Sequence, residues 1–289
     1  MAELIELLLN GLMLGALYAL FALGLSLSLG VMKMINLAHG DLIVLGAYIA
    51  GATMAATGWP ALATLVVVLP AMFALGWLLQ RGLLNRVVGA HELSPLLVTF
   101  GLSVVIQNAL LEVFSANTRS LPAGELAMQG LRLGDVSVGV LPLLVSAISI
   151  AMYAATHVIV AKTHAGRQAR AVADDPATAR LVGVDDRRFF ALMAGFVMAV
   201  TGLAAVLYGI RTPFAPASGP ERLLFAFEAV VLGGLGSLWG SFAGGLLIGL
   251  AQVFGAQLNT GLGPFFGHVV FLCALLVRPQ GLFATGRHH

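Results

Sequence analysis

Three groups of residues hold most of the polar chemistry open to this chain. The segment Met34-Ile35-Asn36-Leu37-Ala38-His39-Gly40-Asp41 brings an amide, an imidazole and a carboxylate close together. Thr99, Ser103 and Gln107 recur at i, i+4 and i+8, which sets them on one face of a helix. Glu228 is a single carboxylate in the run Phe225-Ala-Phe-Glu-Ala-Val-Val. Such groups can exchange a proton, bind a polar solute or hydrogen-bond one helix to another. They do not make an enzyme. No nucleophile–base pair is recognisable, and HExxH, CxxC, GxSxG and the phosphate-binding GxxxxGKS/T loop do not occur. Lys33 and Lys162 are the only lysines. The chain therefore carries no catalytic residues, no metal site and no ATP-hydrolysing site of its own. Gly233-Gly234-Leu235-Gly236 lacks the spacing and context of a dinucleotide loop.

The setting of these groups follows from composition. Hydrophobic residues make up 59% of the 289 residues and charged residues 10%, against roughly 45–50% and about 25% in globular domains. So few charges cannot cover a soluble surface. Disorder needs charge, and a disulfide scaffold needs more than the single Cys273, which reads as packing in an apolar run. The remaining class is an all-α polytopic membrane protein.

A bilayer core takes about 20 apolar residues per helix, so the intervals between charged residues count spans. Glu6 to Lys33 encloses 26 uncharged residues, room for one helix. Asp41 to Arg81 encloses 39, room for two with a break at Gly58-Trp59-Pro60. Glu92–Glu112, Asp135–Lys162 and Arg188–Arg211 supply one each. Glu228 to Arg278 encloses 49, room for two with a break over 259–264. The total is eight, or nine if Leu223 to Val277 folds as three short spans, in one transmembrane domain over 1–289. The N-terminus has Glu3 and Glu6 but no early basic residue, so the first run reads as a retained helix rather than a signal peptide.

Lys and Arg in short loops set orientation. The loop over 162–188 holds six of the 15 basic residues, which places it in the cytoplasm. Arg81 and Arg86 lie on the same side. Tracing backward puts Lys33 inside and the N-terminus outside. Eight spans leave the C-terminus outside, and nine place Arg278 and Arg287 inside. The net charge of +2 comes mostly from the 162–188 loop, so positive-inside bias accounts for it and nucleic acid is not an expected partner.

Each polar group has two readings. Asn36, His39 and Asp41 form either a capped cytoplasmic turn or a broken, re-entrant element that lines a pathway. Thr99, Ser103 and Gln107 either bond between helices or make a hydrated face. Glu228 either pairs with Arg222 or lies on the pathway. His157 and His268 read as packing histidines. Glycine is abundant, at 35 residues. The tandem Gly236, Gly240, Gly244 and the pairs Gly245/Gly249 and Gly11/Gly15 suit close helix packing or a subunit interface. Gly233-Gly234-Leu235-Gly236 is also able to interrupt a helix.

Within the cytoplasmic loop, Asp175 stands at an N-cap, Pro176 at the first helical position and Gly183 where a left-handed residue ends a helix. A short capped helix results. It serves either to dock a cytoplasmic partner or to lie on the membrane surface.

These residues resemble a known family. The stretch from Asn10 to Leu27 and the following Met34-Ile-Asn-Leu-Ala-His-Gly-Asp41 are similar to the start of LivH-type permeases of branched-chain amino-acid ABC transporters. "GRQARAVADDPATARLVG" from Gly166, "AVVLGGLGSLWGSFAGGLLIGL" from Ala229 and "RPQGLF" from Arg278 resemble that family's coupling segment, late glycine-rich segment and C-terminal end. The resemblance implies a multi-pass permease of the bacterial cytoplasmic membrane. It implies pairing with a second, related permease, two cytoplasmic ATPases and a periplasmic solute-binding protein. ATP and Mg belong to the ATPases, and this chain binds no cofactor. Arg170, Asp174, Asp175, Pro176, Arg180 and Gly183 would form the coupling element, within 162–188. The substrate implied is a branched-chain amino acid or a similar small polar solute. The alternative is an ion-coupled secondary transporter, which needs buried carboxylates at inverted-repeat positions. Asp41 and Glu228 are the candidates for such a role.

Overall fold

The computed structural model describes residues 2–87, 93–124, 129–134 and 136–283. The C-terminal Arg287-His288-His289 lies outside them. Helices α1 (Ala2–Leu27), α2 (His39–Thr57), α3 (Leu65–Gly82) and α4 (Ser94–Phe114) come first. A hairpin of β1 (Gly130–Leu133) and β2 (Val136–Gly139) leads into α5 (Val140–Lys162). Two short helices follow, α6 (His164–Asp174) and α7 (Pro176–Leu181), then α8 (Asp186–Arg211). The chain ends with α9 (Gly219–Gly233), α10 (Leu238–Leu258) and α11 (Gly263–Val277). Among the described residues, eight helical segments are long and apolar enough to cross a membrane.

The breaks fall where the sequence has breakers. Gly58 ends α2 at φ +71, with Pro60 behind it. Gly234 (φ +97) and Gly236 (φ +81) hold the turn between α9 and α10 in a conformation that side chains resist. Gly236 therefore belongs to a turn, and only Gly240 and Gly244 of the tandem are helical. The stretch from Leu223 to Val277 holds most of α9 together with α10 and α11, and α9 is not among the eight segments long enough to span. With 15 residues, α9 is about 22 Å long, short of the roughly 30 Å hydrocarbon core.

The chain divides into two compact units. One contains Met1–Ser26, Pro122–Tyr153 and Leu224–His289. Its α10 is held from two sides through glycine. Gly245 and Gly249 meet the backbone of α1 at Ala19, Gly15 and Gly11, whereas Gly240 and Gly244 meet α9 at Gly233 and Ala229. Small residues bring backbones this close and so gain dispersion contact, which drives helix association in lipid. These glycines thus pack helices of one chain. Buried hydroxyls tie the helices further. Ser149 and Tyr153 of α5 donate to the carbonyls of Ala16 and Ala19, each at 2.8 Å, and Tyr18 donates to Gln252 Oε1 at 2.7 Å. The C-terminal segment returns to the α9–α10 turn, where the Leu282 N–H donates to the Leu232 carbonyl at 2.8 Å.

The other unit contains Leu27–Leu121 and Ala154–Leu223. Antiparallel α3 and α8 form its spine. Val68, Met72, Gly76 and Gln80 make a buried i, i+4 stripe on α3. Gly76 faces Met198, and Gly202 faces Met72 and Val68. On α2, Gly46 packs on Ala205 of α8.

Adding side-chain volume at the α1–α10 contact should separate these helices. Gly249→Val is expected to destabilise the detergent-solubilised protein by about 1–3 kcal/mol. Gly101→Ala, where a Cβ meets nothing within 4 Å, should be neutral or gain up to about 1 kcal/mol of helix propensity. Thermal unfolding midpoints of the two variants check this.

Candidate functional site

A turn of π-helix over Ser28–Met32 extends α1 to Lys33, whose φ is +50. The chain then turns back. The Asn36 side-chain carbonyl accepts from the Ala38 N–H at 3.0 Å, and the Leu37 N–H donates to Thr99 Oγ1 at 3.1 Å. Two residues later α2 starts, and Ser103 Oγ donates to Asp41 Oδ2 at 2.5 Å. Gln107 Nε2 donates to Ser103 Oγ at 3.2 Å. Ser103 is the tenth of the 21 residues of α4, so α2 begins halfway along α4 rather than at its end. A second helix starts at the same depth. Gly40 lies against Gly219, the first residue of α9, and a Cβ on either would collide with the other's surroundings. The segment Met34–Ala38 is thus an irregular stretch of backbone between α1 and α2.

The structure brings together Asn36, His39, Asp41, Thr99, Ser103 and Gln107. His39 and Asp41 are each 1% exposed, and Asp41 Oδ1 has no hydrogen-bond partner among the described residues. The cavity beside the segment, which Met32, Met34, Asn36 and Gln80 line in part, measures about 20 Å³. That is room for roughly one water.

The 162–188 loop forms two helices. Thr163 caps α6 by accepting from the Gly166 N–H at 3.1 Å. Asp175 caps α7, accepting from the N–H groups of Ala177 and Thr178 at 2.9 and 3.3 Å. The Thr178 hydroxyl, followed by these N–H donors, holds the Asp175 carboxyl below its usual range. Pro176 opens the helix, and Gly183 at φ +88 ends it with its N–H on the Arg180 carbonyl at 3.0 Å. Arg180 turns inward to Asp186, which it grips through Nε at 2.9 Å and Nη2 at 2.6 Å. Arg170 reaches the Val160 carbonyl at the end of α5. Asp174 is exposed. Leu181 and Val182 form the tip, 87% and 75% exposed.

Beneath the tip lies an apolar cluster. Ala179 of α7 joins Ala169 and Val172 of α6, Phe189 and Phe190 of α8, and Leu84. Met32 and Met34 belong to the same cluster. Helix α6 therefore rests on the π-helical turn that precedes Met34, and α7 packs on α6 and α8.

Several sequence expectations are corrected. Glu228 does not pair with Arg222. Its Oε1 meets His268 Nδ1 at 2.6 Å, and Arg222 pairs instead with Glu221 at 2.8 Å and Tyr208 at 3.1 Å. A partner 40 residues away on α11 replaced the near one, because the α9 backbone directs residues 222 and 228 to different neighbours. His268 also stacks on Phe225 at 5.6 Å. His157 and Cys273 lie on exposed helix faces rather than in packed interiors. Glu228 and His268 belong to the unit that holds α10, and Asp41 belongs to the other unit.

Residues 7–277 match the family described as "Branched-chain amino acid transport system / permease component". The chain is 30% identical to the high-affinity branched-chain amino acid transport system permease protein BraD of Pseudomonas aeruginosa, over 95% of this chain and 94% of that protein. Identity to the permease protein LivH of Escherichia coli K12 is 29%, over 94% and 93%. A probable branched-chain amino acid transport permease protein LivH of Methanocaldococcus jannaschii is 25% identical over 92% and 88%. No solved structure matches the chain significantly.

Sequence reasoning missed α6 and the Met32–Met34 cluster. The run His164–Asp174 has apolar residues spaced for one helix face, a signal that basic charge counting passes over. The α7 cap gives a direct check. Asp175→Ala should speed amide hydrogen exchange at Ala177 and Thr178 relative to α8. The Asp175 carboxyl titrates below its usual 3.8 when folded. Its stabilising effect is therefore present above that pH and is lost as pH falls through the lower folded value. Exchange protection of α7 should hold at pH 6 and decline only below about pH 4.

Proposed function

The chain belongs to the branched-chain amino acid permease family, and from that premise we propose that it is the membrane-spanning subunit of an ATP-driven importer. It is a multi-pass membrane protein with a transport role and works with partner subunits. We infer its setting as the cytoplasmic membrane of a bacterium. Its partners are a second, related permease, two cytoplasmic ATPases that hold ATP and Mg, and a periplasmic protein that delivers the solute. The solute is a branched-chain amino acid or a similar small polar molecule. The ion-coupled alternative does not fit the family.

One observation supports the coupling: α7 packs on α6 and α8, and these share one apolar cluster with Met32 and Met34, which open the segment that leads to Asp41. Closure of ATPases around nucleotide displaces α7. Packed interiors transmit such a shift because they resist compression. The movement passes through the cluster into Met34–Ala38, where it alters the contacts of Leu37 with Thr99 and of Asp41 with Ser103. A cavity of about 20 Å³ admits no amino acid, so passage requires the helices around it to separate. ATP-driven exchange between outward- and inward-open states supplies that separation. Asn36, Asp41, Thr99, Ser103 and Gln107 then offer donors and acceptors to a zwitterion.

Proteoliposomes test the reading. The chain with its paired permease and ATPases should accumulate leucine only when ATP and the binding protein are present. Uptake by the chain without ATPases would overturn it. At the docking surface, Leu181→Glu with Val182→Glu should reduce ATPase retention in a pull-down at least tenfold, since each apolar tip residue contributes on the order of 1.5–3 kcal/mol when covered. Membrane insertion should be unaffected.

A further inference from the structure

A basic pocket lies at the cytoplasmic ends of α3 and α8. It has a volume of about 360 Å³, and Trp77, Arg81, Asn85, Arg86, Arg187 and Arg188 line most of it. That size falls within the roughly 300–1,000 Å³ range of ligand pockets. Asp185 is also in the wall and pairs with Arg188 at 3.0 Å. Four arginines less one aspartate leave a local charge of +3. Neither Arg86 nor Arg187 has a side-chain partner among the described residues, and both are exposed. The floor is fixed. Fully buried Gln80 donates to Asn85 Oδ1 at 2.9 Å, and Asn85 Nδ2 donates to the Arg187 carbonyl at 3.1 Å. That relay holds the end of α3 against the start of α8, so the arginines converge without a ligand.

We propose that this pocket binds the phosphate headgroup of an anionic phospholipid from the inner leaflet. Three features choose lipid. The arginines stand where spans end on the cytoplasmic side, the place where basic pockets between helices hold anionic headgroups. Trp77 lies in the same pocket, with Arg81 over its ring at 4.9 Å, and tryptophan marks the headgroup level. Above it, the outer face of α3 is apolar and open, with Phe73 37%, Leu78 58% and Val66 72% exposed. Acyl chains have a surface to follow. The guanidinium forks match phosphate oxygens, as ammonium groups do less well. A protein partner finds its apolar anchors elsewhere, at Leu181 and Val182.

The site also adjoins the coupling element. Asp185 caps α8 by accepting from the Arg188 N–H at 3.1 Å, and the next residue, Asp186, holds Arg180 of α7. A bound headgroup draws Arg188 from Asp185 and neutralises the start of α8. Lipid occupancy therefore bears on how firmly α7 is seated.

Native mass spectrometry of the assembled transporter tests the assignment, with phosphatidylglycerol, phosphatidylethanolamine and inorganic phosphate as probes. Phosphatidylglycerol should bind more tightly than phosphatidylethanolamine, and inorganic phosphate should not displace it at millimolar concentration. Arg86→Ala with Arg187→Ala should weaken phosphatidylglycerol binding about 25-fold, at about fivefold per arginine. Arg86→Lys with Arg187→Lys should recover most of it, which separates loss of charge from loss of fold. In the unaltered protein, binding should weaken as salt is raised. Equal binding of phosphatidylglycerol by the Ala variant and the parent would overturn the proposal. So would equal retention of the two lipids, displacement by inorganic phosphate, or loss of ATPase assembly with lipid binding unchanged.

Discussion

A helix that begins within the packed interior of a membrane protein leaves backbone N–H groups where no water can reach them. The arrangement around Asp41 answers that constraint. Asn36 supplies its side-chain carbonyl to the Ala38 N–H and its main-chain carbonyl to the His39 N–H at 3.2 Å. Thr99 takes the Leu37 N–H. The segment Met34–Asp41 is thus short and polar because it must cap a helix from inside the protein. Ser103 and Gln107 extend the same service to the carboxylate. Irregular backbone at this depth persists only where protein or a cavity encloses it, and α3, α4 and α8 provide the enclosure.

The same constraint explains the glycines at the centre. Two helix starts, α2 and α9, meet at one level, and Gly40 and Gly219 let their backbones approach. A side chain at Gly219 would strike the Asp41 carboxylate. In soluble proteins two glycines at helix starts weaken the helices they open. Here they permit a crossing that bulkier residues exclude, and tertiary contact offsets the propensity.

Local features were legible in the sequence because their causes are local. Charge intervals located the spans, since hydrocarbon excludes charge over a fixed length. Asp175, Pro176 and Gly183 located α7, since caps act within four residues. Thr99, Ser103 and Gln107 were read as one face from their spacing alone. The partner of Glu228 was not legible, because sequence proximity favoured Arg222 and the fold supplied His268 from another helix. Arg180 looked like a free docking charge for the same reason. Its partner Asp186 is six residues on, beyond the reach of helix periodicity, across the turn that Gly183 allows. The Met32–Met34 cluster was hidden by ordinariness: eight apolar residues in an apolar chain carry no signature until five separate segments converge.

That convergence gives the proposed coupling its direction. A cluster built from α6, α7, α8, Leu84, Met32 and Met34 shares a displacement of α7 among its members, and the least anchored of them yields. The helices α6 and α8 are anchored, α6 by the Thr163 cap and the reach of Arg170 to α5, and α8 by its long contact with α3. Met32 ends the π-helical turn, and Met34 opens the irregular stretch that leads to α2. Methionine is also the side chain that repacks with least cost. The yielding element is therefore the one that ends at Asp41. In the proposed coupling, a shift of α7 reaches the Asp41 group through this element because α6 and α8 are held more firmly.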